Sequence, residues 1–119
     1  MIEISLRKYI ADELDTPVYM EQPKVVPAEY ILLRLMDSGR INHIDAATFS
    51  ITVRSNSLYG AAQIRDDVKR ILLDAPSNVE CITSARIGGE LANTDSANHV
   101  YQYELVFNFY YYEEETNNG

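Results

Sequence analysis

The sequence predicts an α+β fold: a mixed, mostly antiparallel sheet of four to five strands with two main helices packed on one face. Two segments carry apolar residues at helical spacing, and the segments between and after them alternate apolar with polar residues, as strands do. The order helix, strands, helix, strands allows both helices to cover the same face of the sheet. The 119 residues fit one domain, 1–119.

The two predicted helices each have a single apolar stripe. The first spans residues 2–14 and is closed by Thr16-Pro17, because proline cannot continue a helix. The second runs from about Leu58 to Leu73 and follows Ser55-Asn56-Ser57, residue types that cap helix N-termini. The stripe of the second helix consists of Ala61, Ile64, Val68, Ile71 and Leu72.

The first strands are predicted from apolar runs and alternation. Residues 17–20 form a short strand, and residues 30–36 are nearly all apolar, as expected for a strand covered on both faces. In residues 47–54 apolar and polar side chains alternate without interruption, which is typical of a half-buried strand. Asp37-Ser38-Gly39-Arg40 is a turn signal. We therefore expect the strands 30–36 and 47–54 to pair antiparallel through a long loop, 37–46.

The C-terminal part predicts two more strands, 79–87 and 100–112, separated by a polar loop, 88–99. In the last strand Tyr110 and Tyr112 point away from Phe109 and Tyr111. One pair faces the core, and the other is covered either by this domain or by another protein. The acidic tail, 113–119, is expected to be flexible.

Charge and cysteine content limit the possible partners. The net charge is −8, which disfavours binding of nucleic acid phosphates. A single cysteine, Cys81, cannot form an internal disulfide or a zinc cluster, which favours a reducing compartment such as a cytoplasm. No run of about 18 apolar residues and no uninterrupted apolar N-terminal stretch occurs, so we predict neither a membrane span nor a secretory signal.

No residue pattern indicates catalysis, so we predict no enzyme, no cofactor and no metal site. His43 and His99 fall in predicted loops without other ligands at metal-binding spacing. His43 with Asp45 remains a weak candidate for a base and its orienting carboxylate. Cys81 is expected to be a buried, inert thiol. Three adjacent glutamates, 113–115, are more typical of a solvated tail than of an ion site.

Two segments resemble the tail terminator (tail completion) proteins of long-tailed bacteriophages. In the first, Gly39-Arg40 and Asn42-His43-Ile44-Asp45 lead into a strand ending near Ser55, and a helix with Ala61-Ala62 follows. In the second, residues 88–114, a Thr-Asp loop runs into a Tyr-x-Tyr strand that ends in Phe/Tyr-rich residues. The resemblance covers the chain from about Pro27 onward.

The resemblance implies a structural protein of the virion, in the tail or neck, assembled in the bacterial host cytoplasm. Tail terminators form a ring, usually a hexamer, on the end of the tail tube, stop its polymerisation and provide the surface for joining the head. The implied partners are copies of the chain, the major tail tube protein and a head or neck connector protein. DNA would pass through without specific binding, and six copies at −8 each would suit an acidic passage.

The candidate assembly residues fall into two groups, each in a predicted polar loop. The first group is Arg40, Asn42, His43 and Asp45, and the second is Gly88, Gly89, Glu90, Thr94 and Asp95. For each residue a purely local turn role stays open beside a contact between subunits. Arg40 and Asp45 are candidates for an ion pair, either within one chain or between two.

Three alternatives stay open from the sequence. Another phage neck protein, such as a head completion, stopper or connector component, differs in its partner. A small enzyme using His43 would lose activity when this residue is replaced by alanine. A stand-alone cellular adaptor would stay monomeric at all concentrations.

Overall fold

A computed structural model of the chain describes residues 1–112, apart from the side chain of Ile41. The predicted acidic tail, 113–119, lies outside the described residues. In chain order the elements are α1 (Ile2–Glu13), β1 (Val18–Tyr19), β2 (Tyr30–Ile41), β3 (Ile44–Ser55), α2 (Leu58–Leu73), α3 (Ala75–Asn78), β4 (Ile82–Ala92) and β5 (Tyr101–Tyr111). A short 3₁₀ helix, Ser96–Asn98, lies between β4 and β5.

The five strands form one sheet in the order β1-β2-β3-β5-β4. β1 runs parallel to β2, and the other neighbours are antiparallel. This confirms the predicted fold class. The long strand β5 lies between β3 and β4, inside the sheet.

Both long helices pack on the same face of the sheet, and their predicted stripes are buried. On α2 the five predicted stripe residues are all buried. Its N-terminus begins where predicted, because the Ser57 hydroxyl accepts a hydrogen bond from the Gly60 N–H at 3.0 Å. On α1 the buried side chains are Ile2, Leu6, Tyr9 and Ile10. None of the helices in residues 1–112 is long and apolar enough to cross a membrane.

The core lies between these helices and alternate residues of the central strands. Phe49, Phe107 and Phe109 are fully buried, and the ring of Phe49 meets that of Phe109 edge to face at 5.8 Å. Tyr9 on α1 brings a hydroxyl into this core. The hydroxyl donates to the Ile71 carbonyl at 2.7 Å, so its burial leaves no unpaired polar atom there.

The prediction of a long loop over 37–46 is wrong. β2 and β3 continue to Ile41 and Ile44, and only the two residues Asn42 and His43 form the turn. Both have positive φ, 51° and 69°, as the tight turns that match strand twist require. The turn signal at 37–40 instead belongs to an exposed, bulged part of β2, where cross-strand pairing outweighs local turn preference.

The prediction of a loop over all of 88–99 is also wrong, because β4 continues to Ala92. The pairing with β5 shifts between Ile87 and Gly89, which makes Gly88 a bulge. A Cβ at Gly88 would lie 2.7 Å from Asn108 Nδ2, so glycine suits this position. A segment of polar residues and glycines is typical of an exposed edge strand, and this segment forms such a strand.

Candidate assembly surfaces

The first predicted group lies at the end of the β2–β3 hairpin. Asn42 and His43 are exposed at the turn, and Arg40 is the cross-strand neighbour of Asp45. Arg40 Nε donates to Asp45 Oδ1 at 3.1 Å. The ion pair left open by the sequence therefore forms within one chain.

The second predicted group is divided between β4 and the loop after it. Gly88 and Gly89 lie in the strand, and the Glu90 carboxylate reaches α2. Lys69 Nζ lies 2.7 Å from Glu90 Oε1, and Arg65 Nε lies 3.6 Å from Glu90 Oε2. Glu90 thus ties the edge strand to the helix above it, a role within the domain.

Arg65 is at the centre of this cluster. Its guanidinium lies over the Tyr103 ring, 4.5 Å from the centroid, and its Nε donates to Asp66 Oδ1 at 2.9 Å. That hydrogen bond raises the pKa of Arg65 and holds the pKa of the Asp66 carboxyl below its usual value. The contribution of the Asp66 carboxylate to folding stability is therefore present at neutral pH, and it is lost as the pH falls through the lowered pKa of this group.

Asp95, the last of this group, organises its own loop. Its Oδ1 accepts from the Asn98 N–H and its Oδ2 from Asn98 Nδ2 at 2.7 Å, so the carboxylate caps the 3₁₀ helix. The backbones of Asp95 and Val100 also pair as an isolated bridge. Thr94 beside it is exposed.

The structure does not bring the two hairpin ends together. At one end of β3 Asp45 lies opposite Tyr111, and at the other end Ser55 lies opposite Tyr101. These ends are ten residues of extended strand apart, about 33 Å at the usual rise per residue. The molecule is elongated, with a longest extent of 53 Å. The Asn42-His43 turn and the Thr94-Asp95 loop therefore mark opposite ends of the sheet.

The face of the sheet opposite α1 and α2, here called the helix-free face, carries paired polar side chains. Thr48 Oγ1 donates to Asn108 Oδ1 at 2.7 Å, and Ser50 Oγ donates to Glu104 Oε2 at 2.6 Å. Tyr110 lies on this face and is 44% exposed, so among the described residues it is not covered by the domain. The strict alternation of residues 47–54 indicated this polar face, but did not indicate the cross-strand hydrogen bonds.

Both outer edges of the sheet are largely unpaired. β1 borders β2 only at Ile31 and Leu32, and β4 has no neighbour on its outer side among residues 1–112. The expectation that residues 30–36 are covered on both faces of the sheet is wrong beyond Leu33, because Leu35 and Met36 are exposed. The sequence could not reveal these edges, since strand order is not encoded in any single segment.

The structure adds no support for the catalytic candidates. His43 is exposed at the turn, and Asp45 contacts Arg40. Within residues 1–112, no group of three or more His, Cys, Asp or Glu side chains could hold a metal ion. Cys81 is half-buried and packs against the core, and its carbonyl accepts from the Tyr112 N–H at 2.8 Å.

No protein-family model matches this chain, and no curated protein matches it.

Replacing His43 with glycine is expected to stabilise the fold by about 0.5 kcal/mol. Left-handed backbone strains a residue with a Cβ, and this relief exceeds the larger entropy that glycine loses on folding. Urea denaturation measures the change. The matched control is His43→Ala, which removes the imidazole but keeps the strain and should give no gain. A destabilised His43→Gly variant would contradict the turn geometry.

Replacing Glu90 with glutamine is expected to cost about 0.5 kcal/mol at low salt, because the pairs with Lys69 and Arg65 lose their charge. The loss should shrink in 1 M salt, where surface charges are screened. Glu80→Gln is the control, since Glu80 is exposed and makes no ion pair within residues 1–112. Equal stability of the two variants at low salt would show that Glu90 does not hold β4 to α2.

Proposed function

We propose that this protein is a tail terminator of a long-tailed bacteriophage. It forms a ring, with six copies as the expected number, on the end of the tail tube, stops tube polymerisation and offers the surface to which the head is joined. It acts through contacts with copies of itself, with the tail tube protein and with a neck connector protein, and it is not an enzyme.

The positions of the two segments that resemble tail terminators support the proposal. A terminator ring needs two different faces, one towards the tube and one towards the head. The two family-like segments supply one hairpin end each, at Asn42-His43 and at Thr94-Asp95, and these ends lie at opposite ends of the sheet. If the strands run along the ring axis, one end meets the tube and the other meets the neck.

The acidic passage for DNA is a further part of this proposal, and the helix-free face is a poor candidate to line it. The ionisable side chains on the central and outer strands of this face are mixed in sign, with Arg34, Arg54 and Arg86 beside Asp37 and Glu104. An acidic passage would therefore have to use other surfaces. A map of electrostatic potential on the assembled ring tests this, and a basic passage would refute it.

Particles assembled without this protein test the proposed function. Electron micrographs should show overlong tails that are not joined to heads, because nothing stops tube growth. Tails of normal length without heads would instead favour the alternative, another neck protein such as a connector or stopper. Complementation with His43→Ala that restores normal particles would exclude an enzyme that depends on His43.

A further inference from the structure

We propose that the free edge of β2 pairs with β4 of a second copy of this chain, so that the sheet continues from one copy to the next. This inference rests on the ring proposed above and assigns the surfaces that build it. A ring made of identical copies needs two different patches on each copy that fit each other. The two unpaired edges of the sheet are such patches.

The strand directions suit this pairing. From β2 across β3 and β5 to β4, each strand runs antiparallel to its neighbour, so β4 runs opposite to β2. When a second copy is placed beside the first in the same orientation, β4 of one copy lies antiparallel to β2 of the other. The helices of both copies then remain on the same side of the continued sheet.

The two edges have matching side chains on each face. On the helix side, Leu35 of β2 and Ile87 of β4 are 38% and 40% exposed. On the helix-free face, Asp37 of β2 and Arg86 of β4 are exposed, and neither makes an ion pair within residues 1–112. Apolar and oppositely charged cross-strand pairs are those that stabilise antiparallel strands.

One register forms the apolar pair and the charged pair at the same time. Because the pairing of β2 skips Met36, Asp37 follows Leu35 in the ladder, just as Arg86 adjoins Ile87 in β4. Placing Leu35 opposite Ile87 therefore puts Asp37 opposite Arg86.

The neighbouring registers are worse. Moving Leu35 opposite Ala85 would bring Arg34 opposite Arg86, and like charges that face each other destabilise a strand pair. Moving Leu35 opposite Glu90 would put Asp37 opposite Gly89, so that neither the apolar pair nor the charged pair would form.

β1 limits sliding along this edge. It occupies β2 at Ile31 and Leu32, and an open notch of about 280 Å³ follows it. The residues that line the notch are Glu3, Met20, Leu33, Arg34 and Leu35. In this register Glu90 of the second copy reaches Leu33 at the notch, so the last two residues of its β4, Leu91 and Ala92, must bend away from β1, and β1 thereby fixes one end of the contact.

Charge reversal tests the register in the full-length protein. Asp37→Arg and Arg86→Asp each place like charges across every contact between copies and are expected to weaken association about tenfold. The double variant D37R/R86D restores opposite charges and should assemble like the wild type. Native mass spectrometry over a range of concentrations measures the assemblies. Asp12→Arg and Arg7→Asp, with the same charge changes on the exposed side of α1, should have no effect.

Mixing the two single variants gives a sharper result. Each contact between a D37R copy and an R86D copy has opposite charges, so an equimolar mixture should assemble into rings in which the two variants alternate. If the wild type assembles and neither single variant weakens it, the edge pairing is wrong while the ring stands. If both single variants weaken assembly as expected, but particles lacking the protein have tails of normal length, the edge pairing stands and the terminator function fails. A wild type that is monomeric at all concentrations overturns both.

Discussion

Replacing Phe107 with alanine is expected to lower the free energy of unfolding by about 3–5 kcal/mol, because it leaves a cavity between the sheet and the helices. Phe107 is fully buried on β5 and stacks against Phe109 at 5.9 Å. Such a loss is a large part of the total stability of a domain of this size. Urea denaturation followed by far-UV circular dichroism measures it.

The matched control for Phe107→Ala is Tyr110→Ala. Tyr110 is on the same strand but lies on the helix-free face. Its truncation should cost less than about 1 kcal/mol, as for a surface substitution. If Tyr110→Ala were as destabilising as Phe107→Ala, the assignment of the two faces of β5 would be wrong.

Replacing Leu6 with alanine is expected to cost about 3 kcal/mol, because Leu6 is fully buried where α1 packs on the sheet and on α2. Differential scanning calorimetry would record the fall in Tm. Ile4→Ala on the same helix is the control, since Ile4 is 54% exposed and its loss should change stability little. A larger effect of Ile4→Ala would mean that α1 docks through its other side.

Much of the fold could be predicted because the helices carry their own signals. The stripe from Ala61 to Leu72 and the cap at Ser57 define α2 without reference to any other segment. The β2–β3 hairpin was harder, because residues 37–40 have turn-forming composition. Their strand conformation comes from pairing with residues 45–48, which are distant from the local signal. Tertiary pairing outweighs local preference most easily in strands.

The candidate surfaces were predictable only in part. Arg40 and Asp45 were candidates for an ion pair within one chain or between two, but their cross-strand position depends on a two-residue turn that the sequence did not reveal. Glu90 was among the predicted assembly residues, but its contact with Lys69 joins two separate elements and leaves no trace in the sequence spacing. The free edges at Leu35 and Ile87 depend on strand order, which becomes clear only when all five strands are placed.

The edge pairing and the proposed function together give one arrangement. Copies that meet through β2 and β4 would hold their strands side by side, with the hairpin ends pointing along the common axis. The Asn42-His43 turn would then lie on one face of the ring and the Thr94-Asp95 loop on the other. A ring of this kind presents different chemistry to a tube and to a neck without any change within its subunits.

Electron microscopy of tail tubes incubated with the purified protein shows whether this protein terminates tube growth. The predicted result is a ring-shaped density on one end of each tube, after which added tube protein no longer lengthens it. Bare tube ends that continue to grow, with the protein present at saturating concentration, would mean that it is not a tail terminator.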